Sequence, residues 1–493
     1  MLTYYIVSAA LVLWVIVGVV RYVVRCLSFP SAPGSPWARW TKIWYIQKVW
    51  QGHFEEWDIK THDSGARKVV RLAPNMYSID DPESAMAIYG VASTMPKSKW
   101  YDAWGDPSVP NHNLFSTTDR TVHAAMRRRV ANMYSLSTIK SYEPGVDNCI
   151  RILIKCFDEF AETGKVFDPQ HWMQCYAFDV IGEITFGHRV GFLESGGEDI
   201  DDIMKGVDAL LYFSTLSGLS VALLPILFIL YGNPNRAIAA FTRRLHEKAG
   251  KEGPQNEGEK DTDGTFAAKL AKLRGKDLPE VEAARLENAT LLTNVAAGSD
   301  TTSISLTGTL YYLFKTDGVQ ERMLSEIHSK QTSSDEVIGF EQTQQMPYLQ
   351  MVMKEALRLH SAVGLPMWRD VVDNGITLAG TFFPPGCTVG INPWVAHQNK
   401  TVFGPEADKF IPERWDPQNT APEQLTRMEN YYLPFGAGSR TCIGKHISHL
   451  EMAKVIPELV KRYEFEFLKE GYECANTWFV KQKEIMVKVK RRQ

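Results

Sequence analysis

Cys442 stands in the run Phe435-Gly436-Ala437-Gly438-Ser439-Arg440-Thr441-Cys442-Ile443-Gly444. It is one thiol in a glycine-rich turn, with an arginine two positions before it and a phenylalanine seven before it. Glycines let backbone approach the sulfur and supply amides that hydrogen-bond to it, and an aromatic ring over the loop keeps water away. These are the surroundings that an axial thiolate on a haem iron needs. Met without them, a lone buried cysteine reads as a small core hydrophobe.

Three further groups have types and spacing that bear on chemistry. Glu355-Ala356-Leu357-Arg358 sets a carboxylate and a guanidinium one helical turn apart, so that they pair on one face; in isolation such a pair only decorates a surface. Ala296-Ala297-Gly298-Ser299-Asp300-Thr301-Thr302 combines small residues, which leave room for a flat cofactor, with a threonine able to loosen the i−4 hydrogen bond. In isolation it reads equally as a helix contact. His123, Arg127 and Arg128 place donors and cations one turn apart, ordinarily a solvated face.

The elements that must position these residues are mostly helical. Residues 66–79 alternate weakly and carry turn residues, as a small sheet would, and Asp81-Pro82 opens a short helix. Residues 98–117, rich in Asp, Pro, Asn and Ser, read as loop. Helical signals run from Arg120 onward, across 166–187, and with few breakers from about Leu278 to Phe314. Residues 251–264 form a polar loop, strand-like turns fall around 375–391, and 398–432 looks irregular. A final helix spans Gly444 to Tyr463, and 464–490 reads as hairpin strands.

With 493 residues, 44% of them hydrophobic, the chain can bury a large core, and no low-complexity linker, repeat or charge block divides its body. A formal charge of −3 without a basic patch interleaved with aromatics argues against nucleic acid. Seven scattered cysteines fit neither a disulfide scaffold nor a zinc cluster, and suit a reducing compartment.

Leu2 to Val20 carries no charge and as a helix spans about 28 Å, close to the hydrocarbon thickness of a bilayer. The basic start of a cleaved signal peptide is missing, so the segment reads as a retained anchor. Arg21 and Arg25 follow it, which favours a lumenal N-terminus and a cytosolic body. Pro30, Pro33 and Pro36 then mark a stiff, non-helical link. The expected division is an anchor at 1–22, a basic, proline-rich linker at 23–44 and one catalytic domain at 45–493. The uncharged stretch 210–231, interrupted by Gly218 and Pro225, is a further candidate for membrane contact.

The Cys442 run meets in full the pattern Phe-Gly-x-Gly-x-Arg-x-Cys-x-Gly, and here the chain resembles the cytochrome P450 family. Nearly its full length resembles microsomal fungal members, including the group related to pisatin demethylase. The resemblance implies a mainly α fold with small β-sheets, preceded by one transmembrane helix. It implies haem b ligated by Cys442, with Phe435 and Gly436 in the ligand loop, Ala297 and Gly298 beside the haem, and Arg440, Arg127, His123 and Arg369 toward its propionates. His123 stands where the family often has tryptophan. By the same match Glu355, Arg358 and Arg414 form a structural triad holding the ligand loop. Thr301 would hydrogen-bond dioxygen and Asp300 would relay protons.

The stretch 210–231 corresponds to the family's membrane-dipping cap. Pocket walls are expected from 98–117, 210–220, Val295, Ala296, Val363 to Met367, Trp478 and Phe479. The implied activity is an NADPH- and dioxygen-dependent monooxygenation of an apolar small molecule: hydroxylation, demethylation, epoxidation or ring closure. No nucleotide-binding glycine loop is read in this chain, so electrons would come from a separate NADPH-cytochrome P450 reductase, with cytochrome b5 a further partner. The implied setting is the endoplasmic reticulum membrane and secondary-metabolite biosynthesis. Three other readings stay open: a haem-thiolate isomerase or dehydratase working without dioxygen, a monooxygenase of aromatic-acid or fatty-acid catabolism, and a non-catalytic haem sensor.

Overall fold

The computed structural model describes residues 2–64, 66–105, 113–252, 264–274, 278–330 and 336–492. The loop expected at 251–264 and the middle of that expected at 98–117 lie largely outside them.

Helix α1 (Leu2–Ser28) runs past the expected anchor boundary at 22, and its part Leu11–Ser28 is long and apolar enough to cross a bilayer. Arginines 21 and 25 do not end it, because both have high helix propensity; Pro30 does. The link is more structured than its prolines suggest. Arg71 N donates to Pro33 O at 2.7 Å, and a 3-10 turn follows at Pro36–Arg39.

Helices α2 (Ile43–Trp50) and α3 (Phe54–Asp63) lead into strands β1 (Val69–Ala73) and β2 (Met76–Ile79). Asp81 caps α4 (Pro82–Tyr89) by accepting from Ser84 N at 3.0 Å, with Pro82 in the first turn. Residues expected as loop instead make a 3-10 helix at Lys99–Trp104, started by the Ser98 hydroxyl. Asp119 caps α5 (Arg120–Val130), whose last turn carries three arginines, as the helix dipole favours. Then come α6 (Leu136–Ile139), α7 (Glu143–Thr163) and α8 (Pro169–Phe186); the last two end at left-handed glycines, Gly164 and Gly187.

Helices α9 (Ile203–Gly218) and α10 (Leu224–Tyr231) form the cap, and the chain bends by 113° between them. Ile229 and Tyr231, at the tip, are 83% and 77% exposed. Helix α11 (Asn235–Glu252) and α12 (Phe266–Ala271) precede α13 (Glu280–Lys315), the 36-residue helix that runs through the larger buried core. Around it lie α14 (Val319–Lys330), α15 (Phe340–Gln344) and α16 (Pro347–Leu359).

Strands β3 (Arg369–Asp370), β4 (Ile376–Leu378), β5 (Thr381–Phe383) and β6 (Thr388–Gly390) follow. The four-stranded sheet has the order β1-β2-β6-β3, with β2 and β6 parallel. Its register pairs Arg369 with Val389, which fixes where Arg369 leaves the sheet. A second core lies against this sheet. The stretch expected to be irregular contains helices: α17 (Pro393–His397) abuts it, α18 (Lys400–Phe403) opens it, and α19 (Pro422–Tyr431) ends it. Helix α20 (Lys445–Arg462) follows the cysteine loop. The C-terminal strands β7 (Tyr463–Phe467), β8 (Glu473–Thr477), β9 (Phe479–Lys483) and β10 (Val487–Arg491) pair β7 with β10 and β8 with β9.

Candidate functional site

Cys442 lies between the 3-10 turn Gly438–Arg440 and α20. Its N–H donates to Phe435 O at 2.8 Å and closes the loop. Gly436 and Gly438 sit at φ +65° and +63°, where a side chain is strained. At 438 a Cβ would also stand 1.9 Å from Tyr89 O. The sulfur lies deep in the protein yet open to an internal cavity of about 260 Å³. Amides of Gly444 and Lys445 point at it. Burial pushes the thiol up from its ordinary value, with those amides and Arg127 pulling the other way. A metal ion at this position would deprotonate such a thiol outright.

Four cations line the same cavity: Lys97, Arg127, Arg369 and Arg440. They donate to backbone carbonyls, and Lys97 and Arg369 also stand over the rings of Tyr101, Phe115 and Tyr89. Lys97 Nζ donates to Phe115 O at 2.6 Å, Arg127 to Thr441 O at 2.8 Å, Arg369 to Trp368 O at 2.9 Å, and Arg440 to Thr117 O at 2.7 Å. None is paired with a carboxylate among the described residues. Burial, then repulsion from Arg369, moves Arg440 down to about 10, and the same causes hold Lys97 well below the ordinary lysine value. Burial and the surrounding cations take His123 down to about 3, so its imidazole is neutral. Uncompensated buried cations are costly, and the arrangement calls for a ligand with more than one negative charge. A haem, with a thiophilic iron and two propionates, meets both demands of this cavity. Lys97 was not read from the sequence, because a lysine in a loop carries no pattern; only its burial singles it out.

The expected triad assembles. Arg358 makes a bidentate pair with Glu355 (Nε to Oε2 2.9 Å, Nη2 to Oε1 2.8 Å), and Arg414 Nε reaches Glu355 Oε1 at 2.7 Å. Trp415 Nε1 and Ile411 N complete the carboxylate's partners. Arg358 also donates to the carbonyls of His397, Ala407 and Lys409. His397, missed in the sequence, carries the connection onward. Its Nδ1 faces Arg358 O at 2.8 Å, and its Nε2 accepts from Leu433 N at 2.9 Å, two residues before Phe435. Nδ1–H donates to that carbonyl, while acceptance at Nε2 requires the neutral ring, and burial beside Arg358 keeps it so, moving the imidazole down to about 3.

On α13, Thr301, Ala297 and Gly298 line the cavity, with Thr301 Oγ1 donating to Ala297 O at 2.8 Å. The helix runs unbroken through this point. Gly298 has a second reason to be small: a Cβ there would come within 2.9 Å of Ile181 of α8. Asp300 is not on the cavity wall. It is buried on another side of α13, where Gln174 Nε2 donates to it and Lys481 Nζ stands 2.8 Å from Oδ2. Burial raises its carboxyl above the ordinary range.

Of the expected pocket residues, Tyr101, Phe115, Val363, Met367, Trp478 and Phe479 line the cavity. Val295 and Ala296 do not; their helical phase turns them off the wall that Ala297 and Gly298 form. No residue of 210–220 lines it either. That segment supports the wall from behind: Trp100 Nε1 donates to Thr215 O at 3.3 Å, and Trp100 packs on Trp478 with ring centroids 4.7 Å apart.

A cytochrome P450 family model matches residues 45–489. The chain is 34% identical over 476 residues to pisatin demethylase of Fusarium vanettenii, covering 92% of this chain and 89% of that protein. It is 34% identical over 459 residues to a cytochrome P450 monooxygenase of Aspergillus terreus, covering 89% and 90%. It is 32% identical over 478 residues to the cytochrome P450 monooxygenase gsfF of Penicillium aethiopicum, covering 93% of each.

Proposed function

The chain belongs to the cytochrome P450 family, a monooxygenase with a cysteine-ligated haem, and from that premise we propose its particular activity. It takes electrons from NADPH through a separate reductase, assisted by cytochrome b5, and inserts oxygen from dioxygen into an apolar, ring-containing small molecule. The observation that carries this reading is one cavity holding the Cys442 thiol, four uncompensated cations, the Thr301 hydroxyl and an aromatic wall.

Cys442 would ligate the iron, while Lys97, Arg127, Arg369, Arg440 and neutral His123 would bind the propionates. Bound there, the haem supplies the activation of dioxygen. The protein's own part is positioning. Glycines 436 and 438 set the turn that presents the sulfur, and Glu355, Arg358, Arg414 and His397 fix that loop from behind. Thr301, on the cavity wall, holds its hydroxyl in a hydrogen bond to Ala297 O. Tyr101, Phe115, Trp478 and Phe479 exclude water and orient a flat apolar substrate.

Helix α1, with Arg21 and Arg25 in its C-terminal part, supports an endoplasmic reticulum anchor with a lumenal N-terminus and a cytosolic body. The similarity to pisatin demethylase supports demethylation as one candidate reaction, within secondary-metabolite biosynthesis.

The test is to delete the gene, identify the metabolite that accumulates, and feed it to membranes holding the protein, reductase and NADPH under heavy-isotope dioxygen. The expected product carries the label or has lost a methyl group or hydrogen, and forms only with NADPH. Conversion without NADPH or dioxygen would replace this reading with the isomerase one.

A further inference from the structure

Lys481 connects Asp300 to the cap. Its side chain, on β9, is only 7% exposed, and its ammonium serves two carboxylates: Asp300 on α13, fully buried, and Asp208 on α9, half exposed. Strand β9 is fixed on both sides of the lysine. Gln482 Nε2 donates to Ile304 O at 2.9 Å, and Val480 N donates to Ala362 O at 2.9 Å. Asp208 belongs to the cap, where α9 leads across a 113° bend into the exposed apolar tip of α10. Among the described residues, the other hydrogen bonds from α9 to the body are neutral: Thr215 O accepts from Trp100, and Thr215 Oγ1 donates to Thr477 O at 3.2 Å. The charged link of the cap thus ends on the carboxylate next to Thr301.

We propose that Asp208, Lys481 and Asp300 form a latch in which the position of α9 sets how firmly Asp300 is held away from the cavity. With the cap down, one ammonium is shared between two carboxylates and its grip on Asp300 is divided. With the cap lifted, Asp208 leaves and Lys481 pairs with Asp300 alone, one to one, in a site of low dielectric where that pair is strongest. Asp300 is then fixed against Gln174 and Lys481 and cannot turn toward Thr301. The cap admits substrate while the acid is locked, and releases the acid once it has closed. Lys481 and Asp208 act here as positioning residues. The consequence for turnover rests on the monooxygenase reading above; the latch itself does not.

Asp208→Asn is the first test, since a half-exposed site leaves folding intact. Hydrogen exchange of 203–231 should speed up by about 3- to 10-fold, as loss of one ion pair to a buried partner implies, with α13 unchanged. In protein reconstituted with reductase, NADPH oxidation without added substrate should slow, and its solvent deuterium isotope effect should rise. Asp208→Glu should restore both. In a Lys481→Gln background, Asp208→Asn should add nothing further.

Unchanged exchange in the cap would overturn the latch. Faster exchange with an unchanged isotope effect would overturn its link to Asp300, as would additive effects of the two substitutions. Absence of any NADPH oxidation by the wild type would count against the monooxygenase reading instead, with the exchange result still deciding the latch.

Discussion

The two sides of the cavity are held by different physics. Behind the cysteine loop, Glu355 Oε1 accepts from three donors and Oε2 from two, Arg358 reaches three backbone carbonyls, and His397 ties the assembly to Leu433. On the cap side, Trp100, Tyr101, Trp104, Phe115 and Trp478 meet mostly edge to face, and few polar bonds fix them. A saturated ionic network holds one geometry, because any displacement strands charge. An aromatic cluster is non-directional enough to repack around different shapes. The cofactor side is built to be invariant and the substrate side to adapt.

The sharpest way to break this contrast is Glu355→Ala. It leaves two buried or nearly buried guanidiniums without a carboxylate, at a cost of about 3–5 kcal/mol. Urea unfolding and haem content should both collapse relative to wild type. Arg440→Ala comes next. Loss of one charge-assisted donor, worth about 1.5–3 kcal/mol, should speed haem transfer to an acceptor protein by about 10- to 100-fold, with the fold intact by circular dichroism.

His397 gives the contrast a pH dependence. Its folded value, about 3, lies below the unfolded value near 6.5. Its contribution is therefore full above about pH 6.5 and is lost as pH falls toward the folded value, amounting to roughly 2 kcal/mol at about pH 5. The stability difference between wild type and His397→Gln should narrow by that amount between about pH 7.5 and pH 5. The smallest effect is expected at the cap. In Gly218→Ala the new Cβ falls 2.7 Å from Trp100 O and 2.8 Å from its ring, costing about 1 kcal/mol. It should alter the binding of an aromatic probe such as fluorenone by a few-fold while leaving haem content unchanged.

Legibility in the sequence follows the same division. The Cys442 loop, the Glu355–Arg358 pair and the long α13 could be read because turn glycines, i,i+3 spacing and breaker-free helix are local features. Lys97 and His397 could not, since their meaning comes from burial among residues far away in the chain. The helix α19 was hidden by polar composition: it covers the second core with only Met428 and Tyr431 buried, too few for a periodic signal. Asp300 shows the limit most clearly. Adjacency to Thr301 suggested a shared face, but neighbouring residues on a helix diverge by about 100°, and only the fold reveals that Lys481 waits on the other side.

The most direct test of the central claim is the carbon-monoxide difference spectrum of the reduced protein, wild type beside Cys442→Ser. The account predicts the strongly red-shifted Soret band of a thiolate-ligated haem in the wild type, and its loss in the variant. A wild-type spectrum of the unshifted kind given by a histidine- or thiol-ligated iron, or a red-shifted band that survives the substitution, would contradict it.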